Sequence, residues 1–243
     1  MNKSQLTNFI NKYTLGGEIK STKWTSNGDS LTTRFISGDK SVVGRVALSK
    51  FKHLEPCQLG VYNTGQLLSL LSVLGDDVDI KLSRAGDKFI SMELEDSKRK
   101  TKSKYMLSDL SVIPTPPELK NLPDSFELGI KVDAYFINTF ISGKGALSEA
   151  ETFTILTEND KTSIVIGYAS IASNRVTIPV ETTKYKMMEP ISFNANMFAS
   201  ILNANKDCES AELQISSEGL AKINFKIDDF NSTYWLVAAS EVD

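Results

Sequence analysis

The single histidine, His53, lies four residues before Cys57, a spacing that could make a nucleophile pair or half of a metal site. Pro56 stands between them and breaks the helix that would align the side chains, and no second histidine exists, so the segment reads as a loop. Asp76, Asp77 and Asp79, and separately Asp228 and Asp229, are the residue type that holds a divalent cation. Both groups fall where elements turn, the ordinary place for solvated carboxylates. Gly143-Lys144-Gly145 suggests a phosphate loop, but position 138 is Asn where that loop needs glycine, and Gly rather than Ser or Thr follows Lys144. It reads instead as a helix end, with Gly143 as C-cap and Lys144 open to an anion. The densest cationic run, Lys98 to Lys104, suits a phosphate backbone and a solvated hairpin alike. No catalytic constellation emerges, and no metal or cofactor is expected.

Composition narrows the classes further. The 243 residues suffice for one large or two small domains, and 27 Lys and Arg against 30 Asp and Glu give a net charge of −3. A uniformly basic nucleic-acid binder is excluded, whereas a locally cationic face is not. One histidine and two cysteines leave no His-rich zinc site, four-cysteine cluster or disulfide framework, and suit a reducing compartment. Residues 1–9 lack an apolar core, and the Leu-rich run 67–74 is interrupted by Ser69 and Ser72 and too short to span a bilayer. The expectation is a cytoplasmic chain, in the host cell's cytoplasm if viral, with no membrane partner.

Glycine and proline punctuate short alternating or β-branched runs. These include Leu31 to Ile36, Val42 to Leu48, Val78 to Leu82, Phe89 to Leu94, Phe153 to Thr157 and Ser163 to Tyr168. The texture continues at Val176 to Val180, Glu212 to Ile215, Ala221 to Ile227 and Tyr234 to Val237. Four segments instead carry apolar residues at helical spacing, around Leu6 to Tyr13, Leu67 to Leu74, Phe136 to Ile141 and Met197 to Leu202. Asn194 can cap the last, and Asn63 or Thr64 the second. The proline-dense stretch Pro114-Thr115-Pro116-Pro117, with Pro123, reads as an interdomain connector.

The two sides of that connector repeat one another. Tyr62, Asn63, Leu67, Leu70 and Leu71 match Phe193, Asn194, Phe198, Ile201 and Leu202 at one constant offset. Val78, Ile80, Leu82 and Gly86 match Ala211, Leu213, Ile215 and Gly219 after a two-residue insertion, and Phe9-Ile10-Asn11 with Tyr13 recurs as Phe136-Ile137-Asn138 with Phe140. Within each half the order is helix, strands, helix, strands, which favours antiparallel sheets with helices on one face. The period is too long for a solenoid, so two similar domains are expected: 1–109, a connector 110–124, and 125–243.

Taken together, the duplicated β-rich unit, the Asn-initiated Leu-rich helix in each copy, the proline connector and the ending Tyr234-Trp235-Leu236-Val237-Ala238 resemble a DNA polymerase sliding clamp of the PCNA fold. The likeness is greatest to clamps of large tailed bacteriophages, across Tyr62 to Ile80 and Phe193 to Leu202. It implies an α+β fold of two tandem clamp domains, with antiparallel sheets outside and four short helices per chain, closing as a homotrimeric ring. It implies a processivity factor, not an enzyme, that encircles duplex DNA irrespective of sequence, tethers the replicative DNA polymerase and is opened by an ATP-dependent clamp loader. Lys3, Lys12, Lys144 and Lys206 are then expected to face DNA. Tyr105, Met106 and Leu107 would meet Arg175, Thr177 and Pro179 of a second copy. Val42, Val112, Ile113, Leu119, Trp235 and Ala238 would receive a partner peptide, Val112, Ile113 and Leu119 by exposing apolar side chains, unless they only dock the connector on its own domain. The alternative reading is a phage β-rich structural or scaffold protein that assembles through sheet edges.

Overall fold

The computed structural model describes residues 1–119, 122–123, 125–169 and 174–239; three positions of the expected connector, 120, 121 and 124, lie outside the described residues. The chain forms two compact units. The first comprises Met1–Ile36, Gly44–Pro117 and Asp228–Ser232, and the second Ser37–Val43, Glu118–Ile227 and Thr233–Asp243.

Unit 1 begins with α1 (Lys3–Thr14), whose N-cap Asn2 accepts from the Ser4 amide at 2.9 Å. Leu6, Phe9, Ile10 and Tyr13 fall on one face and are fully buried. The strands β1 (Thr22–Ser26), β2 (Ser30–Ile36), β3 (Val42–Ser49) and β4 (Cys57–Val61) follow, then α2 (Thr64–Ser72). Strand order is β3-β2-β1-β4, which leaves β4 at an edge. A second, three-stranded sheet orders β5 (Val78–Ala85), β6 (Lys88–Asp96) and β7 (Lys102–Met106). The cationic run is the β6–β7 hairpin: Lys102 lies 3.4 Å and Lys100 3.8 Å from Glu95, and Lys81 joins the same carboxylate across β5 at 3.4 Å. Much of its charge is therefore matched by β6, as a solvated hairpin requires.

Unit 2 runs through β8 (Leu128–Asp133), α3 (Ala134–Ala146), β9 (Thr152–Glu158), β10 (Lys161–Ile166) and β11 (Val176–Val180). It continues with β12 (Thr182–Lys184), β13 (Ile191–Asn194), α4 (Ala195–Ala204), β14 (Ser210–Ser216), β15 (Leu220–Ile227) and β16 (Phe230–Val237), whose first residues, to Ser232, belong to unit 1. Its sheets are ordered β12-β8-β14-β15-β16 and β11-β10-β9-β13, with antiparallel pairing from β12 through β15 and throughout the second. The helix repeat extends to the caps: Asn63 accepts from the Gln66 amide at 3.0 Å, and Asn194 from the Met197 amide at 2.9 Å.

One helix end differs from the expectation. Gly143 does not cap α3, which continues to Ala146 with Leu147 as C-cap. A side chain at Gly143 would come within 3.1 Å of Val176 and 3.3 Å of Ile166, so glycine is needed there for the helix to approach β10 and β11.

Candidate nucleic-acid face and partner surfaces

In unit 1, α1 packs beside α2, and in unit 2, α3 beside α4. With their apolar sides turned inward, what they leave in solvent is largely uncharged: Asn8 and Asn11 on α1, Gln66 and Ser69 on α2, Asn138 and Ser142 on α3, Asn196 and Asn203 on α4. The lysines meant to supply charge behave differently from one another. Lys12 is 5 % exposed and its ammonium lies 5.3 Å from the centre of the Phe230 ring, a cation–π contact within unit 1. Lys144 is 7 % exposed and donates to the Ser148 carbonyl at 2.7 Å and the Leu147 carbonyl at 3.4 Å, closing the end of α3. Neither ammonium is presented to a phosphate, which corrects the expectation for both and the anion role for Lys144. Lys3 is half-buried with its ammonium on the Leu74 carbonyl beyond α2, and Lys206 is exposed.

Both strands expected to meet a second copy are sheet edges. At β7, Lys102, Lys104 and Met106 point outward and Met106 is 60 % exposed, while Leu107 is half-buried. Tyr105 points inward: its hydroxyl accepts from the Asn63 amide at 2.9 Å and donates to the Asn63 carbonyl at 3.2 Å, so it anchors the start of α2. Burial holds its phenol above the ordinary range, against those hydrogen bonds. At β11, Arg175 and Thr177 are exposed and Pro179, opposite Ser163 of β10, removes one donor from the edge strand.

The connector divides in character. Lys23 donates to the Thr115 hydroxyl at 2.8 Å and Arg34 to the Pro117 carbonyl at 2.6 Å, which fastens 115–117 to β1 and β2. Val112 is 57 % exposed, but Ile113 is only 3 % exposed. Its side chain lies against Gly60 of β4, so the expected exposure of Ile113 is corrected: it docks the connector on its own unit. Leu119 is half-buried in unit 2. That unit also brings Val42 near the end of β16, because the Val237 amide donates to the Ser41 carbonyl at 2.9 Å. Val42 is fully buried there, whereas Trp235 and Ala238 are half-buried. The Trp235 indole N–H is shielded from water and has no acceptor among the described residues.

The residues weighed for catalysis come together nowhere. His53 stands edge-on to Phe51, with burial holding its imidazole below the usual value, and Cys57 opens β4 with its thiol pushed up by burial. Asp229 pairs with Lys50 at 2.8 Å and Asp77 with Lys98 at 3.3 Å, and the described residues contain no cluster of metal-ligating side chains. Among them no helix is long and apolar enough to cross a membrane.

No protein-family model matches the chain, and no curated protein does. Among solved structures it is similar to the crystal structure of proliferating cellular nuclear antigen from Entamoeba histolytica, at a TM-score of 0.75 and 14 % identity over 98 % of this chain and 96 % of that one. The chain has the PCNA fold. Within the PCNA fold the sequence repeat is accounted for by two α+β halves with four helices and antiparallel sheets. Sequence reasoning missed one apolar cavity in unit 1, beside Gln58 and Ile90; its walls come from three separate segments, and no spacing signals it.

Proposed function

We propose that the chain is a sliding clamp: a homotrimer that encircles duplex DNA, tethers the replicative polymerase and is opened by an ATP-dependent loader, without chemistry of its own. The observation that carries this is the PCNA fold over nearly the whole chain. Two outward-facing edges, β7 and β11, support the assembly, since each leaves ladder groups that a second copy can pair. Met106, Leu107, Arg175, Thr177 and Pro179 form that contact, with Tyr105 holding β7 in place. Lys3 and Lys206 lie toward DNA. Val112, Leu119, Trp235 and Ala238 offer apolar surface to a polymerase peptide. The resemblance across Tyr62 to Ile80 supports a place in the replication apparatus of a tailed bacteriophage, in its host's cytoplasm.

The neutral helix faces agree with a topological hold. Each lysine–phosphate contact strengthens binding and slows release, and a closed ring needs neither to remain on a strand. The test is retention on linear duplex whose ends are blocked after threading. Wild-type protein should elute as three chains by light scattering, stay on end-blocked DNA and leave once the duplex is cut. Met106→Lys with Thr177→Lys should give single, folded chains that are not retained. A wild-type monomer at tens of micromolar, or equal retention before and after cutting, overturns the proposal.

A further inference from the structure

The edge of β4 is opened to a neighbour and then abandoned. Gly60 and Ser108 form an isolated antiparallel bridge, with the Ser108 amide donating to the Gly60 carbonyl at 2.9 Å. That bond puts the main-chain groups of Gly60 on the side away from β1. By the two-residue alternation of a strand, the N–H and C=O of Gln58 point the same way. If the chain continued extended, residue 110 would pair with Gln58. Instead Asp109 accepts from the Ser111 amide at 2.9 Å and starts a 3-10 turn over Leu110–Val112, which carries the chain off. On that outer side, among the described residues, no loop or side-chain hydrogen bond meets the Gln58 main chain.

A cavity of about 460 Å3 occupies the place the chain has left, lined by Gln58, Phe89, Ile90, Leu107 and Leu110. Its size lies within the roughly 300–1,000 Å3 of sites that enclose a ligand. Its walls are tied together. Lys88 meets Asp109 at 2.6 Å across the mouth, and Arg84 lies 4.3 Å from the centre of the Phe89 ring while pairing with Glu55 at 2.7 Å. These pairs neutralise every charge at the rim except Asp87, an exposed carboxylate lining the cavity with no ion-pair partner among the described residues.

We infer that this is a peptide site that works by strand addition: an extended segment pairs with Gln58, places an apolar side chain in the cavity and sets a lysine or arginine against Asp87. Main-chain bonds supply a sequence-independent part of the affinity, and the cavity and carboxylate supply the selection. The site lies wholly in unit 1 and shares only Leu107 with the proposed subunit contact; its other walls need no ring, so it stands or falls apart from the clamp reading.

The probe is a fluorescein-labelled peptide amide, Arg-Leu-Thr-Phe-Thr, compared with the same peptide N-methylated at alternate residues and with its Glu-for-Arg form. Anisotropy titrations should show binding of the parent peptide and about tenfold or greater weakening on N-methylation or in Ile90→Asp. Asp87→Lys, on an exposed turn, should reverse the preference between the Arg and Glu peptides. By NMR-detected exchange, the parent peptide should protect the Gln58 amide. Circular dichroism confirms that each variant is folded. The inference is overturned by no binding at about 1 mM, a weak limit for any specific site. It is equally overturned by N-methylated peptide binding as well as the parent, by unchanged charge preference in Asp87→Lys, or by an unprotected Gln58 amide.

Discussion

Beneath α1 in unit 1 lies Trp24, whose indole N–H donates to the Tyr13 hydroxyl at 3.2 Å; that hydroxyl lies 3.4 Å from the Thr64 hydroxyl at the start of α2. In unit 2 the residue that repeats Tyr13 is Phe140, and it belongs to a group of rings with no polar atom. Its centroid is 4.9 Å from Phe198 and 5.2 Å from Phe153, and Phe153 stacks on Phe198 at 4.8 Å. The two halves thus keep a ring at the Tyr13/Phe140 position and the same helix placement while exchanging a hydrogen-bonded group around that ring for an apolar one. Duplication has conserved shape, and each core has settled its polarity separately. Burial drives the Tyr13 phenol far above its ordinary value, so that hydroxyl stays protonated and available to both partners.

The largest effect that sharpens this contrast is expected at the centre of the phenylalanine group. Phe198→Ala should cost about 3–5 kcal/mol, because lost burial and the cavity left behind add; urea unfolding measures it. Phe140→Tyr comes next, at about 1–3 kcal/mol, since it buries a hydroxyl among rings that accept nothing. The reciprocal change, Tyr13→Phe, should cost about 1–2 kcal/mol by orphaning the Trp24 N–H, while Thr64 keeps its bond to the Lys20 carbonyl. If Phe140→Tyr proves no more costly than Tyr13→Phe, the two cores are not chemically distinct and the comparison breaks. Asn63→Ala and Asn194→Ala should each cost about 1 kcal/mol, as equivalent caps should.

The smallest effect is one of pH. Asp96 accepts from the Arg99, Lys98 and Gly75 amides at 2.8, 2.8 and 2.7 Å, and these bonds, that of Arg99 foremost, hold its carboxyl below the ordinary 3.8. A carboxylate depressed in the folded state contributes stability that is complete above its unfolded value and lost as pH falls through the folded one. Asp96→Asn should therefore flatten the acid limb of the stability curve below about pH 4 and leave its slope near neutrality unchanged. In unit 2 the Ser217 amide, donating at 2.9 Å, likewise holds the Glu127 carboxyl below its ordinary range, so Asp96→Asn should remove only part of the acid response.

All four helices were legible in the sequence because each buries one apolar stripe at helical spacing, and the Asn caps follow from the same repeat. The strands β1, β4, β8, β12 and β13 were not. Thr22 and Ser26 of β1 are buried hydroxyls that read as polar, and Gly60 in β4 and Gly129 in β8 look like breaks in a run. The neutral face of the helices was visible in their Asn, Ser and Gln residues. The burial of Lys12 was not, since it depends on Phe230, which lies far away in the chain. Ile113 was read as exposed because proline neighbours suggest a bare linker, whereas Gly60 leaves room for that segment to settle on β4.

The assignment of Asp228–Ser232 to the first unit bears on how the protein is made. Phe230 covers the Lys12 ammonium, and the Asp229 carbonyl accepts from the Ser49 amide while its carboxylate pairs with Lys50. A ribosome has translated residues 1–227 before these residues exist, so the amino-terminal half emerges without the Phe230 ring over Lys12 and waits for that piece. Completion of the first unit is thereby coupled to synthesis of the second. A polypeptide ending at Pro117 would carry every helix and strand of the early half and still lack the ring that shelters its inward-turned lysine.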